Sequence, residues 1–297
     1  MGCVVGLALG DALGAPFEGR RAKDVPSPLP AFARSWMGLP PGSTTDDTAM
    51  ARNLVRSLGE RGGFDPEDLV TRHLAWLRTR PPDMGSLTGA VLRRVAAGSR
   101  AEDAARALWE ERGPEISGGN GSVMYCAPLG AAYANRPAEL KDLAPTLSAL
   151  THFDGRCRTA CLAVTLAVAT LVREEAPDVA ARLAVSSVLP LEGGEELEFL
   201  VEEAGKARPV DGPDRGFCLF AAAIGLQSLT EGQAFEPALC QVISLGGDTD
   251  TNAAVAGALL GAALGHSALP SEWLGHLVDA SGIESEAQRL VPLAASS

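Results

Sequence analysis

Two short acidic segments carry the clearest chemistry in the sequence. The first is Thr44-Thr45-Asp46-Asp47-Thr48 and the second is Asp248-Thr249-Asp250-Thr251, and each opens a predicted helix. A helix start favours one Asp, Asn, Ser or Thr side chain as its cap, and a charged cap explains either segment taken alone. Taken together, the two segments offer more oxygen atoms than capping requires.

Oxygen donors of this kind, without paired His or Cys, select Mg²⁺ or Mn²⁺ over zinc. Four carboxylates with threonine hydroxyls suit two divalent ions better than one, and such a pair can bind adjacent substrate oxygens and activate a water. The Asp46-Asp47 pair also fits the start of the DDxxD motif of all-α prenyl-diphosphate enzymes. Met50 stands where that motif needs its last aspartate, which weakens this alternative.

Three further segments could contact a ligand. The loop 118–122 could turn backbone amides toward a phosphate, and an ordinary glycine-rich loop explains it equally well. His152 lies in a predicted helix start, where a structural histidine is the commoner case. Asp83 follows Pro81-Pro82 on a predicted turn, where capping is the ordinary role.

Composition limits the fold and the partners. The chain has 297 residues, of which 46% are hydrophobic and 5% aromatic, so small aliphatic side chains must fill the core. A core of that kind favours closely packed helices over a β-sandwich. The net charge of −12 argues against nucleic acid and anionic membranes as partners. A phosphate-bearing ligand would then need metal ions or backbone amides as its positive element.

Residue patterns predict helices along most of the chain. Glycines at positions 2, 6, 10 and 14 predict a core helix packed closely against a neighbour, and Asp65 is expected to cap a helix that ends at Pro81-Pro82. Further helices are predicted at 86–98, 101–111, 122–135, 139–150, 155–173, 176–189, 195–204, 214–229, 249–264 and 271–280. No window alternates with a period of two, so the chain is predicted to be all-α.

The positioning elements therefore form one unit. We expect a single-domain, compact, multi-helix orthogonal bundle over residues 1–297 with a dimetal cleft, in which 25–41 is the one long irregular loop. We also expect a monomer, because no exposed apolar heptad seam is evident.

Six cysteines lack the CxxC spacing of zinc and redox sites and predict reduced, buried thiols in a cytoplasmic protein. The apolar N-terminus has no Lys or Arg before Asp11, so it fits neither a signal peptide nor a membrane span.

The combination of segments resembles the ADP-ribosylglycohydrolase family over nearly the whole chain. The segments, in chain order, are GLALGDALGAPFE, TTDDTAM, RPPDMGSLT, GNGSVMYCAPLG, LTHFDGRCRTAC and LGGDTDTNAAVAGALLGA. The resemblance implies an all-helical fold with two Mg²⁺ or Mn²⁺ ions in a cleft. It also implies hydrolysis of the bond between the anomeric carbon of ADP-ribose and a modified protein side chain.

The resemblance implies roles for individual residues. The implied metal ligands are Thr45, Asp46, Asp47, Asp248, Asp250 and Thr251. The implied catalytic residues are Glu18, Asp83 and Asp250. The implied substrate contacts are Gly85, Gly119, Asn120, Gly121, Ser122 and His152.

The acceptor side chain is expected to be arginine. The alternatives are serine-linked or other O-linked ADP-ribose, and a non-catalytic ADP-ribose-binding or structural member of the family. Two positions depart from the family pattern: Tyr125 stands where Arg is usual, and Ser86 stands where Asn is usual. With Tyr125 in place of Arg, the resemblance no longer implies a positively charged side chain near the cleft at this position.

Overall fold

The computed structural model describes residues 1–35, 37–203 and 209–295, and within them every regular element is helical. The all-α prediction is confirmed: two isolated backbone bridges are the only β-type pairings among the described residues. The α-helices, numbered in chain order, are α1 Gly2–Gly14, α2 Asp46–Arg61, α3 Pro66–Leu77, α4 Ser86–Ala96, α5 Ala101–Arg112, α6 Ala127–Ala132, α7 Leu140–Ala149, α8 Gly155–Val172, α9 Pro177–Val188, α10 Gly194–Glu203, α11 Cys218–Ser228, α12 Phe235–Ser244, α13 Thr249–Leu264, α14 Ser271–His276, α15 Ala280–Gln288 and α16 Val291–Ala295.

Helices α1 and α13 form an antiparallel pair at the centre of the molecule. A Cβ added at Gly6 would overlap the backbone of Gly257, and one added at Gly10 would overlap the carbonyl of Ala253. The glycine stripe therefore lets two helix backbones touch, as its four-residue spacing predicts. The hydroxyl of Thr249 closes one end of the pair by donating a 2.8 Å hydrogen bond to the carbonyl oxygen of Gly14.

The core surrounds this pair. Helix α13 is buried from Thr249 to Gly261 and packs against α8, α11 and α12 as well as α1. Helix α8 is long and apolar enough to cross a membrane by length and composition alone, and 72% of it is buried inside the protein. All six cysteines are free, and five of them are buried.

Asp65 caps α3 as predicted, because its carboxylate accepts hydrogen bonds from the amides of Glu67 and Asp68. The predicted loop 25–41 contains no helix among its described residues, and Trp36 lies outside them. Ala204, the last residue of the predicted helix 195–204, also lies outside the described residues.

Four predicted helix boundaries were wrong. The helix that Asp65 caps ends at Leu77 rather than at Pro81-Pro82, because residues 78 and 79 form a turn. The predicted helix 122–135 is helical only at Ala127–Ala132, because residues 121–126 form consecutive turns. The predicted helix 214–229 begins at Cys218, because Phe217 pairs with Gly119 in a backbone bridge. The predicted helix 271–280 is interrupted after His276, since Leu277 is extended and Asp279 adopts a left-handed conformation at φ 59°.

Helices α12, α15 and α16 were not predicted. Proline lies inside two of them, at Pro237 in α12 and Pro292 in α16, and both prolines fall in the first turn, where the missing N–H costs nothing.

Candidate metal centre and cleft

The α1–α13 pair brings the first part of the site together. The chain leaves α1 through Glu18, and the following segment is held to the turn before α13 by two backbone hydrogen bonds of 2.8 Å, from Gly19 to Gly247 and from Gly247 to Arg20. Glu18, Asp248 and Asp250 consequently offer carboxylate oxygens that all lie within 4.8 Å of one another.

The two glycines of this turn are conformationally required. Gly246 and Gly247 adopt left-handed backbones at φ 69° and 79°, which L side chains rarely tolerate. A Cβ on Gly247 would also overlap the carbonyl of Val210. The turn therefore aims Asp248 and Asp250 at the segment that follows α1.

The start of α2 supplies the second part of the site. Thr45 is the N-cap residue of this helix, and Asp46 and Asp47 are its first two residues. Asp11 of α1 is fully buried beneath them and accepts hydrogen bonds from both Thr45 and Thr48. Burial raises the pKa of Asp11 to about 6, although hydrogen bonds from the amides and hydroxyls of Thr45 and Thr48 act to lower it.

Carboxylates of the two acidic segments lie close enough to raise one another's pKa. Burial raises the pKa of Asp46, Asp47 and Asp250 well above the usual range, and neighbouring carboxylates raise it further. The negative charge of Asp248 contributes to all three shifts, so side chains from α2 and from the start of α13 face each other. A divalent cation among them would reverse this effect, because it favours the ionised carboxylates.

Ordinary capping does not explain either segment. Thr45 and Asp248 are the N-cap residues of α2 and α13, and neither side chain makes a capping hydrogen bond. The carboxylate of Asp248 instead accepts a 2.8 Å hydrogen bond from the side-chain amide of Asn120. The side-chain oxygens of Thr45 and Asp248 therefore do not cap their helices, which is the usual role of such side chains at a helix start.

The donors fit a divalent cation. Asp47 Oδ1 is buried and has no hydrogen-bond partner within the described part of the chain, and an orphaned carboxylate oxygen is costly unless a cation meets it. The surrounding donors are carboxylates and hydroxyls, the ligands that Mg²⁺ and Mn²⁺ prefer.

A cleft of about 450 Å³ opens over this cluster. Most residues implicated by the sequence line it, namely Glu18, Asp46, Asp47, Asp83, Gly85, Gly119, Asn120, Gly121, His152, Asp248, Asp250 and Thr251. Thr45 lies just beneath the lining, with its hydroxyl 3.2 Å from Asp47. Ser122 is different: it is fully buried and shares a 2.9 Å hydrogen bond with Ser148, so it supports the loop from below.

The glycine-rich loop forms one wall of the cleft. The amide of Asn120 donates a 2.9 Å hydrogen bond to Gly216, and the amide of Cys218 donates one to Gly118. His152 packs under the loop, where a Cβ on Gly121 would lie 2.9 Å from its ring. Burial lowers the pKa of His152 to about 4, so the imidazole is neutral near pH 7.

Asp83 also lines the cleft. Its neighbour Gly85 donates a 3.2 Å hydrogen bond to Asp46 Oδ2, which ties this turn to the start of α2. Burial raises the pKa of Asp83, while the backbone amide of Asp46 lowers it. Ser86 is the first residue of α4 and Gly85 is its N-cap, so Ser86 does not cap that helix.

Sequence reasoning missed two residues of this region. Arg215 lines the cleft from the segment that pairs with the glycine-rich loop, and no motif marked it. Asp11 looked like a single acidic residue in an apolar helix. The available signal was its position next to Gly10 of the glycine stripe, in a helix whose apolar composition predicts burial on all sides.

The departure at Tyr125 does not lie at the cleft. This side chain is fully buried and packs edge-on against His73, with ring centroids 5.4 Å apart. Among the described residues that line the cleft, Arg215 carries a positive charge.

Known proteins resemble this chain over its whole length. The sequence model of the ADP-ribosylglycohydrolase family matches residues 1–297. The ADP-ribosyl-[dinitrogen reductase] glycohydrolase of Rhodospirillum rubrum is 29% identical, over 93% of this chain and 89% of that protein. ADP-ribosylhydrolase ARH3 of Bos taurus is 30% identical, over 92% of this chain and 86% of that protein.

A solved structure has the same fold. It is described as an ADP-ribosylglycohydrolase-related protein complex, and it superposes with a TM-score of 0.80 at 32% identity. The match covers 99% of this chain and 96% of that one.

Proposed function

The chain belongs to the ADP-ribosylglycohydrolase family, a family of glycosyl-bond hydrolases, and from this premise we propose that it removes ADP-ribose from modified arginine side chains with two divalent ions, Mg²⁺ or Mn²⁺. One observation carries the proposal: carboxylates from α2, from the start of α13 and from the segment that follows α1 converge on a single cleft. This acidic cluster suits cations, and the cleft beside it has room for a ligand.

The metal ions would be held by Thr45, Asp46, Asp47, Asp248, Asp250 and Thr251. Ions bound there would supply Lewis acidity toward ribose hydroxyls and water. Their positive charge also offsets the mutual repulsion of the buried carboxylates.

The chain's own residues would bind the diphosphate on the wall formed by the glycine-rich loop. The glycine-rich loop presents small residues, Gly119 and Gly121, so a ligand can approach the backbone closely. Arg215 adds a guanidinium, whose planar fork suits phosphate oxygens. An acidic protein thereby gains a local positive element for an anionic substrate.

Asp83 would receive the leaving side chain. A half-buried carboxylate on the cleft rim is a natural partner for a guanidinium, and this favours arginine as the acceptor. A carboxyl group on the cleft lining could also donate the proton that the leaving nitrogen requires. Glu18 lies within reach of the Asp248 and Asp250 carboxylates and would orient the attacking water.

Serine-linked ADP-ribose is the second candidate acceptor, an alternative that the family resemblance leaves open. A side-by-side assay separates the two. Protein substrates carrying ADP-ribosyl-arginine or ADP-ribosyl-serine are incubated with the enzyme and Mg²⁺ or Mn²⁺, and released ADP-ribose is measured.

We expect release from the arginine-linked substrate and none after chelation with EDTA. Asp250→Ala should lower turnover more than about 100-fold, because it removes a central ligand. Asp103→Ala, an exposed aspartate on α5, is the matched control and should leave turnover unchanged. Release from neither substrate by the metal-loaded protein would refute the proposed activity.

We also propose that the protein acts as a cytoplasmic monomer. Six free thiols are consistent with a reducing compartment. Size-exclusion chromatography with light scattering tests the monomer, for which a mass of 30.7 kDa is expected.

A further inference from the structure

Asp11 occupies an unusual place beneath the cleft. It belongs to α1, is fully buried, and does not line the cleft, yet both of its carboxylate oxygens face the start of α2. Oδ1 accepts the Thr45 hydroxyl at 2.8 Å, and Oδ2 accepts the Thr48 hydroxyl at 2.5 Å. The amides of Thr45 and Thr48 donate to the same carboxylate at 2.9 and 3.1 Å.

Asp11 thus performs the capping that Thr45 does not. The residue three positions beyond an N-cap usually donates its amide to the N-cap side chain. In α2 that residue is Thr48, and its amide donates to Asp11 of another helix. The Thr45 side chain is therefore released from capping its own helix.

The released hydroxyl has a defined orientation. A hydroxyl carries one proton and two lone pairs, and a metal ligand must offer a lone pair. The single proton of the Thr45 hydroxyl has two acceptors, Asp11 Oδ1 at 2.8 Å and Asp47 Oδ2 at 3.2 Å. When the proton is donated to Asp11, the shorter contact, the lone pairs of the Thr45 oxygen are left for a cation held by Asp47. A side chain that fixes a ligand in this way typically changes metal affinity 10–100-fold when it is removed.

We propose that Asp11 is a positioning residue for the metal site: by accepting the proton of Thr45, it turns the oxygen of that residue toward the ion held by Asp47. This inference rests on the proposed metal site. It assigns Asp11 a function through Thr45, separate from its contribution to the start of α2 through Thr48.

Mn²⁺ binding, measured by electron paramagnetic resonance of the free ion, tests the inference without any turnover. Asp11→Asn keeps the shape of the side chain and removes one acceptor oxygen, and Thr45→Val removes the hydroxyl. We expect each to weaken Mn²⁺ binding at least tenfold. Thr45→Ser, which restores the hydroxyl, should bind within threefold of the unmodified protein.

Thr48→Val is the matched control, because it removes the other hydroxyl that donates to Asp11. It should bind Mn²⁺ within threefold of the unmodified protein, even where its melting temperature falls. The double variant Asp11→Asn/Thr45→Val should bind no more than threefold more weakly than the weaker single variant, since both act through one interaction.

Several results would overturn the inference. Unchanged Mn²⁺ binding in Asp11→Asn, or equal losses in Thr48→Val and Asp11→Asn, would reduce Asp11 to a support for the helix. Equal losses of Mn²⁺ affinity in Thr45→Ser and Thr45→Val would show that Asp11 does not act through the Thr45 hydroxyl. If Asp11→Asn does not fold, the Thr45→Ser, Thr45→Val and Thr48→Val comparison decides alone. Absence of Mn²⁺ binding in the unmodified protein would instead refute the proposed metal site.

Discussion

Gly10→Ala tests the close contact between α1 and α13 directly. The added methyl group would overlap the carbonyl oxygen of Ala253 and lie 2.9 Å from the amide nitrogen of Ala254. Both obstacles are backbone atoms in a buried helix, so no side-chain rotation relieves the overlap. The two helices must move apart, and the packing along the stripe is lost.

The expected magnitude combines two opposing effects. Overpacking a well-packed core costs about 1–3 kcal/mol, and the backbone obstacle places this case near the upper end. The better helix propensity of alanine returns about 1 kcal/mol. The free energy of unfolding should therefore fall by about 2 kcal/mol.

Gly275→Ala provides the matched control. Gly275 lies in helix α14, outside the left-handed region, and a Cβ there would have no neighbour within 4 Å. The same substitution should raise the free energy of unfolding by about 0.5–1 kcal/mol. The two variants should consequently differ by about 3 kcal/mol.

Urea unfolding followed by circular dichroism at 222 nm, in EDTA, measures this difference. Mn²⁺ binding to Gly10→Ala should also weaken. Gly10 precedes Asp11, and α1 holds the start of α13 through the hydrogen bond from Thr249 to Gly14, so moving the two helices apart displaces the metal ligands. If the two variants unfold within 0.5 kcal/mol of each other, a value set by the usual error of such comparisons, the proposed backbone contact does not exist.

Three other predictions follow from the site and the core. Arg215→Ala should raise KM for an ADP-ribosylated substrate about tenfold with kcat nearly unchanged, since it removes a charged phosphate contact; Arg182→Ala on α9 is the control, and an unchanged KM excludes the contact. Mg²⁺ at about 100 times its Kd should stabilise the protein by about 2.7 kcal/mol in urea titrations, and equal stability with EDTA and with Mg²⁺ contradicts metal binding. Burial lowers the pKa of His73 to about 3, below the unfolded value of 6.5. As the pH falls from 6.5 toward 3, the unfolded chain takes up a proton that the folded chain does not, and the free energy of unfolding decreases. Between pH 6 and 5 the contribution of His73 to this loss is about 1 kcal/mol, so His73→Gln should reduce the fall in the free energy of unfolding over that interval by about this amount.

The sequence predicted the elements that depend on local pattern. The four-residue glycine spacing marked α1 as a closely packed helix, and the repeated Asp and Thr content at 44–48 and 248–251 marked the two halves of one cluster. Such features are visible because their physical reason lies within a few neighbouring residues.

Features that depend on distant parts of the chain were missed. Phe217 looked like the interior of a helix, and its pairing with Gly119 keeps it extended. Asp11 looked like an isolated charge, because its partners Thr45 and Thr48 lie more than thirty residues away. Arg215 fell inside the predicted helix 214–229, and only the folded chain places it at the cleft.

The α1–α13 pairing also has a consequence for biosynthesis. The two helices that align the carboxylates are joined by a contact between residues 235 positions apart, from Thr249 to Gly14. A ribosome must therefore add the 235 residues that follow Gly14 before an emerging polypeptide can assemble the cleft, since synthesis proceeds from the N-terminus. Prematurely terminated or proteolytically shortened products that lack the second helix should accumulate as inert chains with an unpaired glycine face, a surface that chaperones and proteases can recognise.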